Sequence, residues 1–341
     1  MDEFEIIQLI RSLAASYSNQ SHLSPTDDDA ALIAAIDHQA IISVDNLYEG
    51  RHFPANAPPF LIGQRAVAVA VSDLAAMGAR PRGCFLALSL PAKHCSKEFI
   101  TAFATGFGMA AGRVAMPLLG GNLTQSDALG MSVTVVGDGI NYLGRDGTQA
   151  GDAIYVSGCL GDGAAGLKYA LKESPELSVH QAALRAAYYC PPQRIALGNK
   201  LHAIANSAID ISDGLLNDLQ HILGQVQGQN QGDGDEGLQG RHIGAELFLD
   251  RLPYSQAMVA EVSPQQRQDY ALNGGDDYEL LITVAATKQS QLEELREICP
   301  LTHIGNIILN IGEMSALPSI TGVDVDGSRL SLEPKGYKHF S

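Results

Sequence analysis

Short acidic motifs recur along the chain, at positions where the flanking sequence predicts strand ends and helix starts. Any one of them is typical of a turn or a helix cap, where Asp and Ser accept hydrogen bonds from free backbone N–H groups. Several acids brought together repel one another unless a cation neutralises them, and Mg²⁺ prefers such oxygen ligands and in turn recruits phosphates. The set therefore favours magnesium-assisted phosphate chemistry. The motifs are Asp27-Asp28-Asp29, Ser43-Val44-Asp45, 72–79 with Asp73, Gly120-Gly121-Asn122, 210–215 and 274–279.

A glycine-rich segment at 161–166 offers a second nucleotide-like pattern, G-x-G-x-x-G after a predicted strand. The dinucleotide interpretation fails downstream, because helical segments follow where a parallel strand and a ribose-binding acid should be. Lys168 lies one position too late for a phosphate-binding loop, and no Ser or Thr follows it. A tight glycine turn between a strand and a helix is the favoured interpretation.

Alternating apolar patterns predict an α/β or α+β architecture of two domains. Glycine becomes frequent over 137–151, which places the boundary between a domain of residues 1–145 and one of residues 146–341. Predicted helices cover 4–13, 63–76, 96–112 with Ser96 as the cap, 163–172, 179–188, 194–205 and a stretch after Asp213. Predicted strands cover 31–36, 40–44, 84–90, 116–120, 129–136, 153–157 and 207–211, with others near 243–248, 279–284 and 303–308.

Residues 224–240 are low in complexity and nearly without apolar side chains, which predicts a mobile surface insertion. Asp233-Gly234-Asp235 within it could hold Ca²⁺, but the spacing fails the EF-hand pattern and no Glu closes the site. The insertion interpretation is therefore favoured.

The bulk composition excludes several classes of protein. A formal net charge of −16 disfavours nucleic acid and anionic membranes as partners. The five cysteines contain no C-x-x-C pair, which fits reduced thiols rather than a disulfide framework or zinc site. The amino terminus lacks the basic start of a signal peptide, and no apolar run is expected to span a bilayer. A soluble, cytoplasmic protein is predicted.

The ordered set of motifs resembles bacterial thiamine-monophosphate kinases, in the superfamily that includes aminoimidazole ribonucleotide synthetase. The resemblance covers nearly the whole chain. The matching segments are Asp28-Asp29, Ser43-x-Asp45, Gly50-x-His52-Phe53, 72–79, Gly120-Gly121, Arg145, 210–215, 275–280 and Gly336-Tyr337-x-His339-Phe340.

This resemblance implies two α/β domains, with the amino-terminal sheet pairing across a homodimer. It implies an ATP-dependent kinase that converts thiamine monophosphate to thiamine diphosphate by direct in-line transfer, with several Mg²⁺ ions and no catalytic group beyond their ligands. The implied magnesium positions are Asp29, Ser43, Asp45, Asp73, Asn122, Asp210 and Asp213. The implied ATP positions are Gly121, Asn122, Arg145 and Ser212, and the implied acceptor positions are His52, Asp276 and Tyr337.

Other interpretations of these residues remain open. His52 and Arg145 could be solvated loop residues, and Tyr337 could simply pack as a tail anchor. The sequence departs from the family pattern at Asp27, Val44 and Asn122, where Gly, Thr and Asp are usual. A related enzyme with another acceptor, or a paralogue that binds nucleotide or thiamine phosphates without turnover, therefore stays an alternative.

Overall fold

The structure, a computed structural model, describes residues 1–17, 39–172, 176–230, 241–311 and 318–335. Its first half contains a four-stranded sheet in the order β1-β4-β2-β3, in which only the β2–β3 pair is parallel. The elements are α1 Glu3–Ser16, β1 Gln39–Tyr48, α2 Pro59–Ala76, β2 Arg80–Leu90, α3 Lys97–Arg113, β3 Leu118–Gln125 and β4 Gly130–Gly139.

The second half contains a seven-stranded sheet in the order β11-β10-β7-β9-β5-β8-β6, in which only the β10–β7 pair is parallel. Its strands are β5 Ala153–Ser157, β6 Ser207–Asp210, β7 Arg241–Phe248, β8 Leu280–Val284, β9 Leu301–Ile311, β10 Ile320–Val323 and β11 Arg329–Leu332. Its helices are α4 Asp162–Ala170, α5 Val179–Tyr189, α6 Ile195–Leu201, α7 Leu215–Asn230, α8 Gln256–Glu261 and α9 Pro264–Asn273.

The helix α2 lies at the centre of the first half and positions part of the site. Most of its residues are buried, because it packs against α3 and β4 on one side and against α6 and β6 of the second half on the other. One hydrophobic cluster therefore continues from α2 to residues of both sheets, such as Val133 and Ile282. The two halves meet along this helix.

The expectation that no apolar run approaches the length of a bilayer span was wrong for α2. Its 18 residues, with a mean hydropathy of 1.2, meet the length and composition of a membrane span. However, 78% of this stretch is buried inside the protein, as for the central helix of a folded core.

The mixed α/β architecture is confirmed, and the predicted elements that fall on described residues are present. Sequence reasoning missed α8, α9, β10 and β11. The strand expected at 31–36 lies outside the described residues, and the division of the chain into domains at 145/146 stays a prediction.

Two local predictions need correction. The insertion predicted at 224–240 was placed too early in the chain, because α7 continues to Asn230 and residues 224–230 are therefore helical. Residues 231–240 lie outside the described part. Gly120-Gly121-Asn122 does not end a strand but lies in the middle of β3. In each case polar and glycine-rich composition was taken as a break, whereas neighbouring elements hold the backbone in regular structure.

Candidate active site

Three carboxylates from separate elements form an acidic cluster, defined here as Asp45, Asp73 and Asp210. Asp45 lies on β1 two residues after Ser43, so both point to the same face of the sheet. Ser43 Oγ donates a hydrogen bond to Oδ2 of Asp73, which lies on α2. Asp210 ends β6 and is 5% exposed. The cluster therefore lies where the two halves of the chain meet.

The carboxylates in this cluster interact electrostatically. The pKa of Asp210 is raised to about 7, first by burial and then by the negative charges of Asp73 and Asp45, while the Arg145 cation opposes the rise. Burial and the charge of Asp73 together raise the pKa of Asp45 to about 6. Such mutual repulsion is relieved by a bound cation.

The loop after Asp210 is held by a residue that sequence reasoning missed. Asp218 Oδ2 accepts the backbone N–H groups of Ser212, Asp213 and Gly214, at 3.0, 3.1 and 3.1 Å. Burial and the charges of Asp210 and Asp213 together raise the pKa of Asp218 to about 8, although the backbone hydrogen bonds oppose the rise. An acid in the first turn of a predicted helix was the available signal, since such acids satisfy free N–H groups at the helix start.

The acceptor-side positions His52 and Asp276 are joined by a second missed residue, Arg65. This buried side chain donates from Nε to the backbone oxygen of His52 at 2.9 Å and from Nη2 to Asp276 Oδ1 at 2.5 Å. Burial alone would lower the pKa of Arg65, but Asp276 and the neighbouring tyrosines outweigh it and raise that pKa. A single cation inside a long apolar helical stretch was the available signal.

The glycine motif at 161–166 is confirmed as a turn. Gly161 has φ +84° and precedes α4, and the Asp277 carboxylate accepts the N–H groups of Gly161 and Gly163 at 2.6 and 3.0 Å. The chain's own carboxylate thus occupies the position where a phosphate would bind such a loop.

A cavity of about 410 Å³ opens beside the acidic cluster. Asp73, Ser43 and Arg145 supply polar groups in its wall, while Met77 and Tyr142 are among its apolar and aromatic ones. Arg145 is exposed, so its guanidinium remains available to an anion. The volume and mixed lining suit a small organic phosphate.

Some predicted residues are not brought to the acidic cluster. Gly121 and Asn122 lie on β3, the opposite edge of the sheet from β1, and Asn122 Nδ2 donates to Thr124 Oγ1 at 3.2 Å. A Cβ at position 121 would clash with the carbonyl oxygen of Leu86, so close strand packing explains this glycine. Asp27, Asp29 and Tyr337 lie outside the described residues.

Two of the departures from the family pattern fall on one face of the sheet. Val44 is 54% exposed and points away from Ser43 and Asp45, because successive side chains of a strand alternate. Asn122 is aligned with Ala87 of β2, and Ala87 is aligned with Ser132 of β4. Ser132 lies two residues from Thr134, the partner of Val44, so all of these side chains share the outer face. Neither substitution removes an oxygen from the acidic cluster.

The acidic cluster fits Mg²⁺, although not as a closed protein cage. Among the described residues, no three His, Cys, Asp or Glu side chains are grouped so that they could hold one ion. Mg²⁺ usually takes one or two carboxylates and completes its shell with water and substrate phosphates. Oxygen donors that repel one another next to a phosphate-sized cavity meet that requirement.

Magnesium should raise the melting temperature more at about pH 8 than at about pH 6. The pKa values of Asp210 and Asp45 are raised to about 7 and about 6, so both lose protons across this range. A carboxyl group whose pKa is raised in the folded protein contributes most to stability below pH 3.8, which is its ordinary pKa. That contribution is lost as the pH rises through the pKa of the group in the folded protein. Mg²⁺ binds the deprotonated form and offsets the loss. Thermal melts with and without Mg²⁺ test this, and equal shifts at both pH values would contradict it.

Comparison with known proteins agrees with this fold. A family model for the AIR synthase related protein, N-terminal domain, matches residues 27–139. Thiamine-monophosphate kinase of Escherichia coli (strain K12) is 35% identical over 344 residues, which cover 97% of this chain and 98% of that protein.

Two solved structures are similar over nearly the whole chain. Thiamine-monophosphate kinase from Stenotrophomonas maltophilia K279a matches with a TM-score of 0.79 and 38% identity, covering 92% of this chain and 96% of that one. AaThiL complexed with AMPPCP and TMP matches with a TM-score of 0.74 and 30% identity, covering 99% and 97%. The chain therefore has the fold of the AIR synthase-related proteins. More specifically, the chain belongs to the thiamine-monophosphate kinase family.

Proposed function

We propose that this chain transfers the terminal phosphoryl group of ATP to thiamine monophosphate and so forms thiamine diphosphate. The observation that carries the proposal is the acidic cluster beside the Arg145 cavity in a member of this family. The similar AaThiL structure holds AMPPCP and TMP, an ATP analogue and a phosphate-bearing small molecule. A cytoplasmic location fits an ATP-consuming enzyme whose five cysteines are free thiols.

The individual site assignments are part of this proposal. Asp45, Asp73 and Asp210 would hold Mg²⁺ with Ser43 and Asp213, and the family pattern adds Asp29. Arg145 and Ser212 would contact ATP. Gly121 and Asn122, which the family pattern also suggests, lie on the opposite edge of the sheet and are left out of this assignment. His52, Asp276 and Tyr337 would contact the acceptor.

Bound Mg²⁺ would supply positive charge that brings two anionic phosphates together and stabilises the charge of an in-line transfer. The acceptor is a phosphate monoester with a second pKa near ~6, so it is largely ionised at neutral pH and needs no strong general base. The protein's own side chains position the metal-binding and ATP-contacting groups. Asp73 is fixed by Ser43, and Asp218 holds the backbone of the Ser212–Asp213 segment. Arg145 adds a cation in the wall of the cavity.

A homodimer formed through the outer face of the first sheet is also proposed. This face exposes apolar side chains on β1, where Ile42 is 62%, Val44 54% and Tyr48 47% exposed. Exposed apolar patches of this kind mark interaction surfaces. The middle of this face carries uncharged residues, namely Ile42, Val44, Asn46, Tyr48, Phe85, Ala87, Ser89, Gly120, Asn122, Thr124, Ser132 and Thr134. Asp138, which is aligned with Ala40 on the same face and pairs with Arg80, lies at its end.

The proposal favours an active kinase over a paralogue that binds without turnover. Two of the three departures that supported the paralogue, Val44 and Asn122, lie on the outer face of the sheet and leave the described carboxylates unchanged. The third, Asp27, lies outside the described residues.

A direct assay tests the proposed function. Purified protein incubated with ATP, Mg²⁺ and thiamine monophosphate should produce thiamine diphosphate and ADP in equal amounts. Unphosphorylated thiamine is the control acceptor and should give neither product above background, since it lacks the attacking phosphate. Binding of both substrates with no thiamine diphosphate would contradict the proposal and favour the non-catalytic paralogue.

A further inference from the structure

Arg65 connects three segments that are far apart in the sequence. It is 3% exposed, and besides His52 and Asp276 it binds the backbone oxygen of Tyr188 through Nη1. Its guanidinium also stacks on the Tyr188 ring, 4.2 Å from the centroid, while Tyr188 OH donates to the His52 oxygen at 2.9 Å. Because a guanidinium is planar and its donors have fixed directions, it fixes the relative orientation of all its partners.

The same connection continues to the loop that follows Asp210. The backbone N–H of Asp276 donates to Ser212 O at 2.9 Å, and that of Tyr278 donates to Ile211 O at 2.8 Å. Tyr278 OH donates to Asp276 Oδ1 at 3.3 Å. Hydrogen bonds thus run without a break from the Ser212 segment through Asp276 and Arg65 to His52.

The segment around Asp276 has a backbone conformation that needs support. Asp276 has φ +69° and Tyr278 has φ +51°, in the left-handed region that side-chain-bearing residues rarely adopt. Such a conformation is unfavourable and persists only where its surroundings fix it, commonly at functional sites. Arg65 is one of those fixing contacts.

The geometry leaves part of Asp276 available to a ligand. Arg65 and Tyr278 both bind Oδ1, and the Asp276 side chain is 29% exposed although Arg65 is almost fully buried. A contact that served stability alone would not require the carboxylate to reach the surface. The pair instead orients a carboxylate that stays partly exposed.

We infer that Arg65 is the positioning residue of the acceptor site, which sets the distance and orientation between His52, Asp276 and the Ser212 segment. The inference rests on the proposed function, and the acceptor it concerns carries a cationic ring as well as a phosphate. A partly exposed carboxylate suits the ring, while the phosphate must reach the acidic cluster. Misplacing either contact by about 1 Å can cost on the order of 100-fold in rate.

Arg65→Lys is the variant that tests this role. Lysine keeps the charge but has no planar fork, so it cannot hold His52, Tyr188 and Asp276 in one fixed arrangement. We expect the KM for thiamine monophosphate to rise about 10-fold or more, with a much smaller change in the KM for ATP. The matched control is Arg194→Lys, because Arg194 also makes a half-buried pair, with Glu279 at 2.6 and 2.5 Å, yet touches neither His52 nor Asp276.

The expected pattern is a selective loss of acceptor affinity in Arg65→Lys, with a fall in melting temperature similar to that of Arg194→Lys. A KM for ATP that rises as much as the KM for thiamine monophosphate would overturn the inference, because Arg65 would then be a general structural contact. If Arg65→Lys does not fold, Tyr188→Phe decides: it removes only the hydroxyl that binds His52 O, and an unchanged acceptor KM would overturn the inference.

Calorimetric titration separates this inference from the proposed function. Wild-type protein that binds thiamine monophosphate, with equal binding by Arg65→Lys, contradicts the positioning role alone. Wild-type protein that does not bind thiamine monophosphate overturns the proposed function together with the positioning role.

Discussion

Replacing Asp73 by Asn is expected to lower kcat/KM for thiamine monophosphate by at least about 100-fold, the usual scale for removing one preorganised charge from an active site. Asp73 is the common neighbour in the acidic cluster, since it binds Ser43 and interacts with Asp45 and Asp210. Asn keeps an oxygen that can accept from Ser43, so the loss is mainly one of charge. The measurement is steady-state kinetics at limiting and saturating Mg²⁺.

The same substitution should not destabilise the metal-free protein. Asp73 raises the pKa values of Asp45 and Asp210, so removing its charge relieves repulsion and should leave the melting temperature unchanged or higher. The rise caused by Mg²⁺ should shrink. Asp127→Asn is the matched control, an exposed carboxylate outside the cluster that should change neither quantity. Wild-type activity of Asp73→Asn at limiting Mg²⁺ would remove Asp73 from the metal site.

The sequence predicts the acidic cluster because its members are ends or faces of strongly patterned elements. The pattern predicts Ser43 and Asp45 at the end of a strand and Asp73 on a long apolar helix, and the alternative to function for each motif alone is a turn or helix cap. The structure places them together at the junction of the two halves. Their number and order along the chain carried the prediction, since each motif alone resembled a cap.

Arg65 could not be assigned in the same way. Its importance lies in partners at positions 52, 188 and 276, and sequence spacing does not reveal which distant backbone oxygens a guanidinium will meet. The converse error concerns Asn122, whose glycine-rich context predicted a strand end near phosphates. Its side chain lies on the outer face instead, because strand register decides which face a residue occupies.

The helical start of the supposed insertion shows how composition misleads. Residues 224–230 are rich in Gly and Gln, which have opposite helix propensities, and α7 continues through them from a strongly apolar first part. Propensity is a weak guide once a helix is already nucleated by packed residues such as Leu219 and Ile222.

Replacing Asp218 by Leu is expected to destabilise the fold by about 3 kcal/mol and to reduce turnover strongly, since it leaves three backbone donors without their shared acceptor. All three hydrogen bonds end on one oxygen, Oδ2, and they hold the segment that carries Ser212 and Asp213. Leu fills a similar volume, so the loss reports the missing oxygen rather than a cavity. Denaturant unfolding gives the stability, and steady-state kinetics give the turnover.

Asp218→Asn is the matched control, and its expected behaviour follows from the environment of the carboxyl group. Burial and the neighbouring acids raise the pKa of Asp218 to about 8, so near neutral pH the group is largely protonated and carries little charge. A neutral amide oxygen can therefore replace it, and Asn should retain stability to within about 1 kcal/mol together with most of the activity. A variant with Asn as impaired as the one with Leu would mean that the negative charge, rather than the acceptor oxygen, holds the loop. A variant with Leu that behaves like the wild type would mean that the contacts of Asp276 and Tyr278 with this loop are sufficient on their own.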